Sequence, residues 1–208
     1  MKTDYLGSII ICKIYVENER KIHGGNAMYG IDLLMKEHLN IIAFTEYMKN
    51  CCCAILEGAD VDAAQFMECI DFARSYADKH HHGKEEQILF RHMLDNPSSA
   101  TEKLVRNGML VEHDFGRFHI TELENALKLY TEYPCTKNKL GVITHAAAYA
   151  DLLQRHIQKE DNVCYTYAQR MLSNAEKNQI DAETKAFEEE AEQNGILQKY
   201  LAWLDMRG

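Results

Sequence analysis

The amino-acid sequence predicts an all-α protein, an up-down-up-down four-helix bundle with an extra C-terminal helix and a short N-terminal extension. Three observations carry that expectation. The 208 residues include only two prolines and eleven glycines, set among abundant strong helix formers. Apolar residues recur at helical intervals through four long segments. Short breaks at Gly58, Asn96-Pro97 and Tyr133-Pro134 separate those segments, and short links favour antiparallel neighbours. A chain of this length buries one substantial core. It divides into an extension over 1–27, a bundle over 28–172, and an acidic linker with a closing helix over 173–208.

The first helix runs from Met28 to about Leu56, where Ile31, Leu34, Met35, Ile41, Ile42, Phe44, Tyr47 and Met48 share a face and Gly58 ends the pattern. Asp60 is placed to cap a long second helix that passes through Phe66, Ile70, Tyr76, Ile88 and Phe90 and stops at Asn96-Pro97. Ser99 and Glu102 read as a capping box for the third, which continues through Leu110 and Phe118 to Leu129. The fourth extends from about Thr136 through Leu140, Ala147, Leu153 and Val163 to Met171. Ser173 to Gly195 is polar and acidic. Beyond it, Ile196 to Leu204 forms a short amphipathic segment that can lie across the bundle or meet a second copy of the chain through Trp203.

Composition excludes several classes of function. With 23 basic against 32 acidic residues the formal charge is −9, and no basic stripe is present to follow a phosphate backbone, so nucleic acid is not an expected partner. The apolar run Ser8 to Val16 is much shorter than the about 20 residues a membrane span needs, and it lacks the flanks of a signal peptide. Seven cysteines, an odd number in a chain too large to need disulfide staples, fit reduced thiols in a cytoplasm. The run Cys51-Cys52-Cys53 lacks the spacing of a zinc or cluster site and reads as small apolar helix residues.

The chemistry lies in an internal repeat. His81-His-Gly-Lys-Glu-Glu-Gln-Ile-Leu-Phe90 aligns without gaps with His156-Ile-Gln-Lys-Glu-Asp-Asn-Val-Cys-Tyr165. On a helix, residues i and i+4 share a face, so His81 with Glu85, and His156 with Glu160, each offer an imidazole and a carboxylate to one spot. That donor pair suits iron, manganese or zinc, and a carboxylate can bridge two cations and offset their repulsion. The other two helices supply His38 and His113. Alignment of the apolar tails favours His81 and Glu85. His82 with Glu86 satisfies the same spacing, and Asp161 competes with Glu160. His80, His92, His119 and His23 have no carboxylate at i+4 and read as surface residues or as neighbours of the site.

The order His38, His81-x3-Glu85, His113, His156-x3-Glu160, with the phrases Leu-Met-x-Glu-His, Glu-His-Asp-x-Gly-Arg and His-Ile-x-Lys-Glu-Asp, resembles the hemerythrin-type cation-binding pattern over about Gly30 to Ala168. The resemblance implies a non-haem pair of iron ions inside the bundle, bridged by the two carboxylates. Members that carry oxygen reversibly have a second histidine one turn after the third-helix ligand, and that position is Arg117 here. The departure implies a centre short of one imidazole and open to a small diatomic ligand or peroxide. Arg117 would lie beside the centre, steering an anion or pairing with Glu85 or Glu160. His145 and Tyr149, eleven and seven residues before His156, fall on a similar helix face and are placed to replace the absent ligand, to contact a bound species, or to pack in the core.

Three classes of function follow. One is a metal-binding module that binds or senses iron, oxygen or nitric oxide without turnover, which is the reading preferred. Another is a redox enzyme, such as a scavenger of peroxide or nitric oxide or a donor of iron for cluster repair. The third is a metal-free partner-binding bundle.

Overall fold

The computed structural model describes residues 28–95 and 97–207. The N-terminal extension, with its apolar run, Cys12 and His23, lies outside the described residues, as does Asn96. Helix α1 (Tyr29–Leu56) ends at Gly58, whose φ of 109° is in the left-handed region that glycine enters without steric cost. Helix α2 covers 63–94. Its first turn is capped by Asp62, which accepts from the Gln65 amide at 3.0 Å, rather than by Asp60, because the helix starts at Ala63. Two stretches of α2, Ala73–His82 and Glu85–Leu89, are wound as π-helix: the Gly83 and Phe90 amides reach carbonyls five residues back.

Helix α3 covers 99–132 and includes a π-turn at Val105–Met109. Its cap is one residue earlier than the sequence suggests, with Ser98 accepting from the Thr101 amide at 3.1 Å. Helix α4 covers 136–171 and carries a further π-turn at Glu160–Cys164. The stretch expected to be an acidic linker is helix α5 (Asn174–Gln193), opened by a capping box between Ser173 and Glu176. Its acidic residues mask an amphipathic face on which Ile180, Thr184 and Ala191 are buried. After Gly195, φ 67°, helix α6 (Ile196–Asp205) lies across the bundle, with Trp203 packed edge-on to Phe44 and tilted against Phe72.

Two apolar clusters fix the topology. One joins the start of α1 (Met28, Ile31, Leu34) to the end of α2 (Ile88, Phe90, Met93), the start of α3 (Val105, Met109) and the end of α4 (Tyr165, Ala168). The other joins the opposite halves, including Phe44 and Met48, Phe66 and Phe72, Leu123 and Leu127, and Val142 and Leu153. Each helix therefore runs antiparallel to the next, and the bundle is up-down-up-down with two additional helices. Between the clusters lies a belt of buried polar side chains drawn from all four bundle helices. Cys51, Cys52, Cys69 and Cys164 are buried, and burial pushes the Cys52 thiol up to about 12. Among the described residues no helix is long and apolar enough to cross a membrane.

Helix α5 docks so closely on α1 that a Cβ built on Gly30 would meet Thr184 Oγ1 at 3.0 Å and Ile180 Cγ2 at 3.2 Å. The Gly30 amide also donates to Asp181 Oδ1 at 2.9 Å. Gly30→Ala is expected to destabilise the protein by about 1–3 kcal/mol through overpacking, read as a lower urea midpoint. An unchanged or raised midpoint would show that α5 yields freely.

Candidate metal centre

The belt collects five imidazoles and two carboxylates in the middle of the bundle. His38 comes from α1, His81, His82 and Glu85 from α2, His113 from α3, and His156 and Glu160 from α4. Each is at most 3% exposed, and both carboxylates are at 0%. Glu160 reaches a histidine on its own helix and on two others: Oε1 lies 3.1 Å from His156 Nε2 and 3.6 Å from His113 Nε2, while Oε2 lies 3.3 Å from His38 Nε2. Glu85 Oε2 lies 3.5 Å from His113 Nε2 and 3.7 Å from His81 Nε2. Its other oxygen accepts from the Tyr165 hydroxyl at 2.6 Å.

These donors converge on two positions that share Glu85. One is formed by His82, Glu85, His113 and His156, the other by His38, His81, Glu85 and Glu160. Burying polar atoms without partners is costly, yet His81 Nε2, His113 Nε2, His156 Nε2, Glu85 Oε2 and both Glu160 oxygens have no hydrogen bond. All six face the same small volume. Neutral imidazole nitrogens and carboxylate oxygens left bare in one place fit a pair of divalent cations, and no thiolate contributes.

A ring of outer carboxylates orients the imidazoles. Glu37 on α1 accepts from His81 Nδ1 at 2.9 Å, Glu86 on α2 from His113 Nδ1 at 2.7 Å, Glu112 on α3 from His156 Nδ1 at 3.0 Å, and Asp161 on α4 from His38 Nδ1 at 2.7 Å. Each helix thus lends a carboxylate to the histidine of the next until the circuit closes. Asp78 serves His82 at 3.3 Å from within α2. A carboxylate only accepts, so each Nδ1 carries a proton and Nε2 is the nitrogen turned inward.

The structure rearranges several expectations. His81 and His82 are partners rather than rivals. Within the π-wound stretch Ala73–His82, His80, His81 and His82 are all buried. His82 joins Glu85, His113 and His156 in one group of buried donor atoms. Glu86 and Asp161 orient imidazoles, while Glu85 and Glu160 occupy the centre. Arg117 pairs with Asp78, Glu86 and Asp114 on the protein's flank, and not with Glu85 or Glu160. His145 contacts His119 at 3.3 Å, away from the centre. Tyr149 stands in a cavity wall beside His82 and His113. His80 and His92 are buried, His80 against Glu37 and His92 against Glu183.

Sequence reasoning missed Glu37, Asp78, Glu112 and Tyr165. Glu37 and Glu112 each directly precede a candidate ligand, and that Glu-His pairing was the available signal.

Electrostatics follow the geometry. Burial works to lower His38, but Asp161 and Glu160 outweigh it and raise the imidazole to about 9. Burial likewise opposes His156, which Glu160 and Glu112 lift to about 10. His81 falls to about 4 because burial, followed by the charge on His38, outweighs Glu37. Burial and the neighbouring Glu160 raise Glu85 well above the carboxylate range, whereas His156, His113 and His38 hold Glu160 well below it despite its burial.

A second polar cluster adjoins the centre. The Lys84 ammonium, 1% exposed, is shared by Glu37, by Glu188 at 2.5 Å and by His80 at 2.9 Å. It links α5 to the carboxylate that orients His81. Burial would raise Glu37, but His80, His81 and Lys84 hold it far below the usual range. Lys84→Met would leave that buried carboxylate short of its counter-charge, with an expected loss of about 3 kcal/mol. Urea denaturation of metal-free protein would measure it, and a wild-type midpoint would show the ammonium to be dispensable.

The model of the hemerythrin HHE cation binding domain matches residues 29–168 of the chain. No curated protein matches it.

Proposed function

Because the chain belongs to the hemerythrin HHE cation-binding family, we propose that it is a non-haem di-iron protein that binds or senses a small diatomic molecule or peroxide. The observation that carries this reading is the convergence of six unpartnered buried nitrogen and oxygen atoms on one volume inside the bundle. His82, His113 and His156 would hold one ion, His38 and His81 the other, with Glu85 and Glu160 reaching both. Manganese or zinc would satisfy the same donors. Iron supplies one-electron exchange and coordination positions for a small ligand.

The chain's own residues do the rest. The ring from Glu37 to Asp161 fixes each imidazole's tautomer and direction, which raises its basicity as a ligand. Tyr165 holds one Glu85 oxygen and leaves the other facing inward. The apolar clusters above and below exclude water along the bundle axis. Three imidazoles at one position and two at the other make the pair unequal, and the position with fewer nitrogens keeps more room for an incoming ligand.

Reconstitution with ferrous iron under anaerobic conditions tests the proposal. Two irons per chain are expected, followed by an optical change on adding oxygen or nitric oxide. Purified protein that retains no stoichiometric metal after reconstitution would leave the partner-binding bundle as the better description.

A further inference from the structure

Helix α5 lies beyond the family match, which ends at residue 168. Its Glu188 carboxylate nevertheless joins a series of polar side chains that ends at the metal centre. Glu188 Oε1 lies 2.5 Å from the Lys84 ammonium and 3.3 Å from His80 Nε2. Lys84 and His80 both reach Glu37 Oε1, and the other Glu37 oxygen accepts from His81 Nδ1 at 2.9 Å. His81 Nε2, unpartnered, faces the His38–His81 position. A helix outside the bundle is thereby connected to one candidate metal position and not to the other. The same helix is anchored separately by Asp181, which accepts from the Gly30 amide at 2.9 Å and takes no part in the series.

Charge alternates along the series. Glu188 is negative, Lys84 positive and Glu37 negative, and a metal ion beyond His81 would be positive. Lys84 and Glu37 are buried, so their interactions are little screened. With α5 docked, Glu188 offsets the ammonium and leaves Glu37 to hold His81 and to balance part of a dication's charge. With α5 lifted away, Glu37 is the one carboxylate left to Lys84 among the described residues, and the ammonium draws on it at the expense of His81. An undocked α5 and an occupied metal position therefore oppose each other. Linkage makes the relation reciprocal: the factor by which docking strengthens metal binding is the factor by which metal strengthens docking.

We propose that docking of helix α5 and occupancy of the His38–His81 position are coupled through Glu188, Lys84 and Glu37, with Glu188 a positioning residue that acts on the centre from outside the bundle. Metal binding tightens α5 and metal release loosens it, so the helix carries the state of the centre to the protein's surface. The inference rests on the metal-binding reading above and adds to it the element that responds.

Amide hydrogen exchange of the full chain, metal-free and loaded anaerobically with ferrous iron, tests the coupling. Competition against a chelator gives the iron affinities of the same samples. Helix α6, whose Trp203 packs on the opposite apolar cluster, is the internal reference. In wild type, loading should slow exchange in α5 at least about fivefold more than in α6, the low end of ordinary coupling between sites. Glu188→Gln keeps the side chain's shape and removes its charge. It should lose that difference and weaken one of the two irons by about the same factor. Asp181→Asn loosens α5 at Gly30, so it should speed α5 exchange in both states while keeping the difference. Equal slowing of α5 and α6 in wild type, loss of the difference in Asp181→Asn as well, or a Glu188→Gln protein that keeps both the difference and wild-type iron affinity would overturn the coupling and leave the metal centre standing. Wild-type protein that takes up no iron would instead overturn the reading beneath it, and the coupling with it.

Discussion

Glu160→Ala is expected to yield a folded protein that retains neither metal ion. Glu160 is the one carboxylate whose two oxygens face opposite ways, toward His156 and His113 through Oε1 and toward His38 through Oε2. Its removal takes a negative ligand from both positions at once and leaves Glu85 alone to offset repulsion between two dications. The loss should exceed by far the about 10–100-fold that an outer partner contributes. Glu112→Gln provides that comparison, because Glu112 touches only His156 Nδ1 and Lys159. It should weaken binding within that range while still loading two ions at saturation. Metal analysis after dialysis against a weak chelator separates the two variants, and circular dichroism checks the fold. Two ions per chain in Glu160→Ala would remove the bridging role.

Metal affinity should also climb steeply with pH. In the metal-free protein His38, raised to about 9, and His156, raised to about 10, carry protons that stand in for the missing positive charge around Glu160. Each must release its Nε2 proton to coordinate, and Glu85, also raised, must release one too. The two imidazole protons displaced per pair of ions give a rise of at least about 100-fold in the overall binding constant per pH unit between pH 6 and 8, and more wherever Glu85 still holds its proton. Competition against a chelator of known proton affinity measures the slope, and a flat profile would contradict the protonated metal-free centre.

The sign for stability is the opposite. A histidine whose folded pKa is raised stabilises fully below its unfolded value of 6.5, and that contribution is lost as pH rises through 9 and 10. Melting temperatures of metal-free protein should therefore fall from pH 7 to 10, while the loaded protein, with those protons already gone, stays level across the same range. His81, depressed to about 4, acts on the acid side, where stability is lost as pH falls below 6.5.

Sequence by itself determined the four amphipathic helices and nominated candidate residues for the belt, because both follow from spacing along one helix. Apolar periodicity placed Phe44, Phe72, Leu123 and Leu153 inward, and the repeated His-x3-Glu frame brought Glu85 and Glu160 to the same level of the bundle. Tertiary structure decided the rest. An i+4 rule presumes α-helical turns, so it could not foresee that His82, in the π-wound Ala73–His82, would be buried together with His81. The ring of orienting carboxylates joins residues far apart in the chain, as with Asp161 and His38, and no local pattern reports which helix lies next to which. Helix α5 was hidden for a similar reason. Its acidic composition resembles a linker, and only its packing against Gly30, with Glu188 meeting Lys84, shows why those residues are ordered.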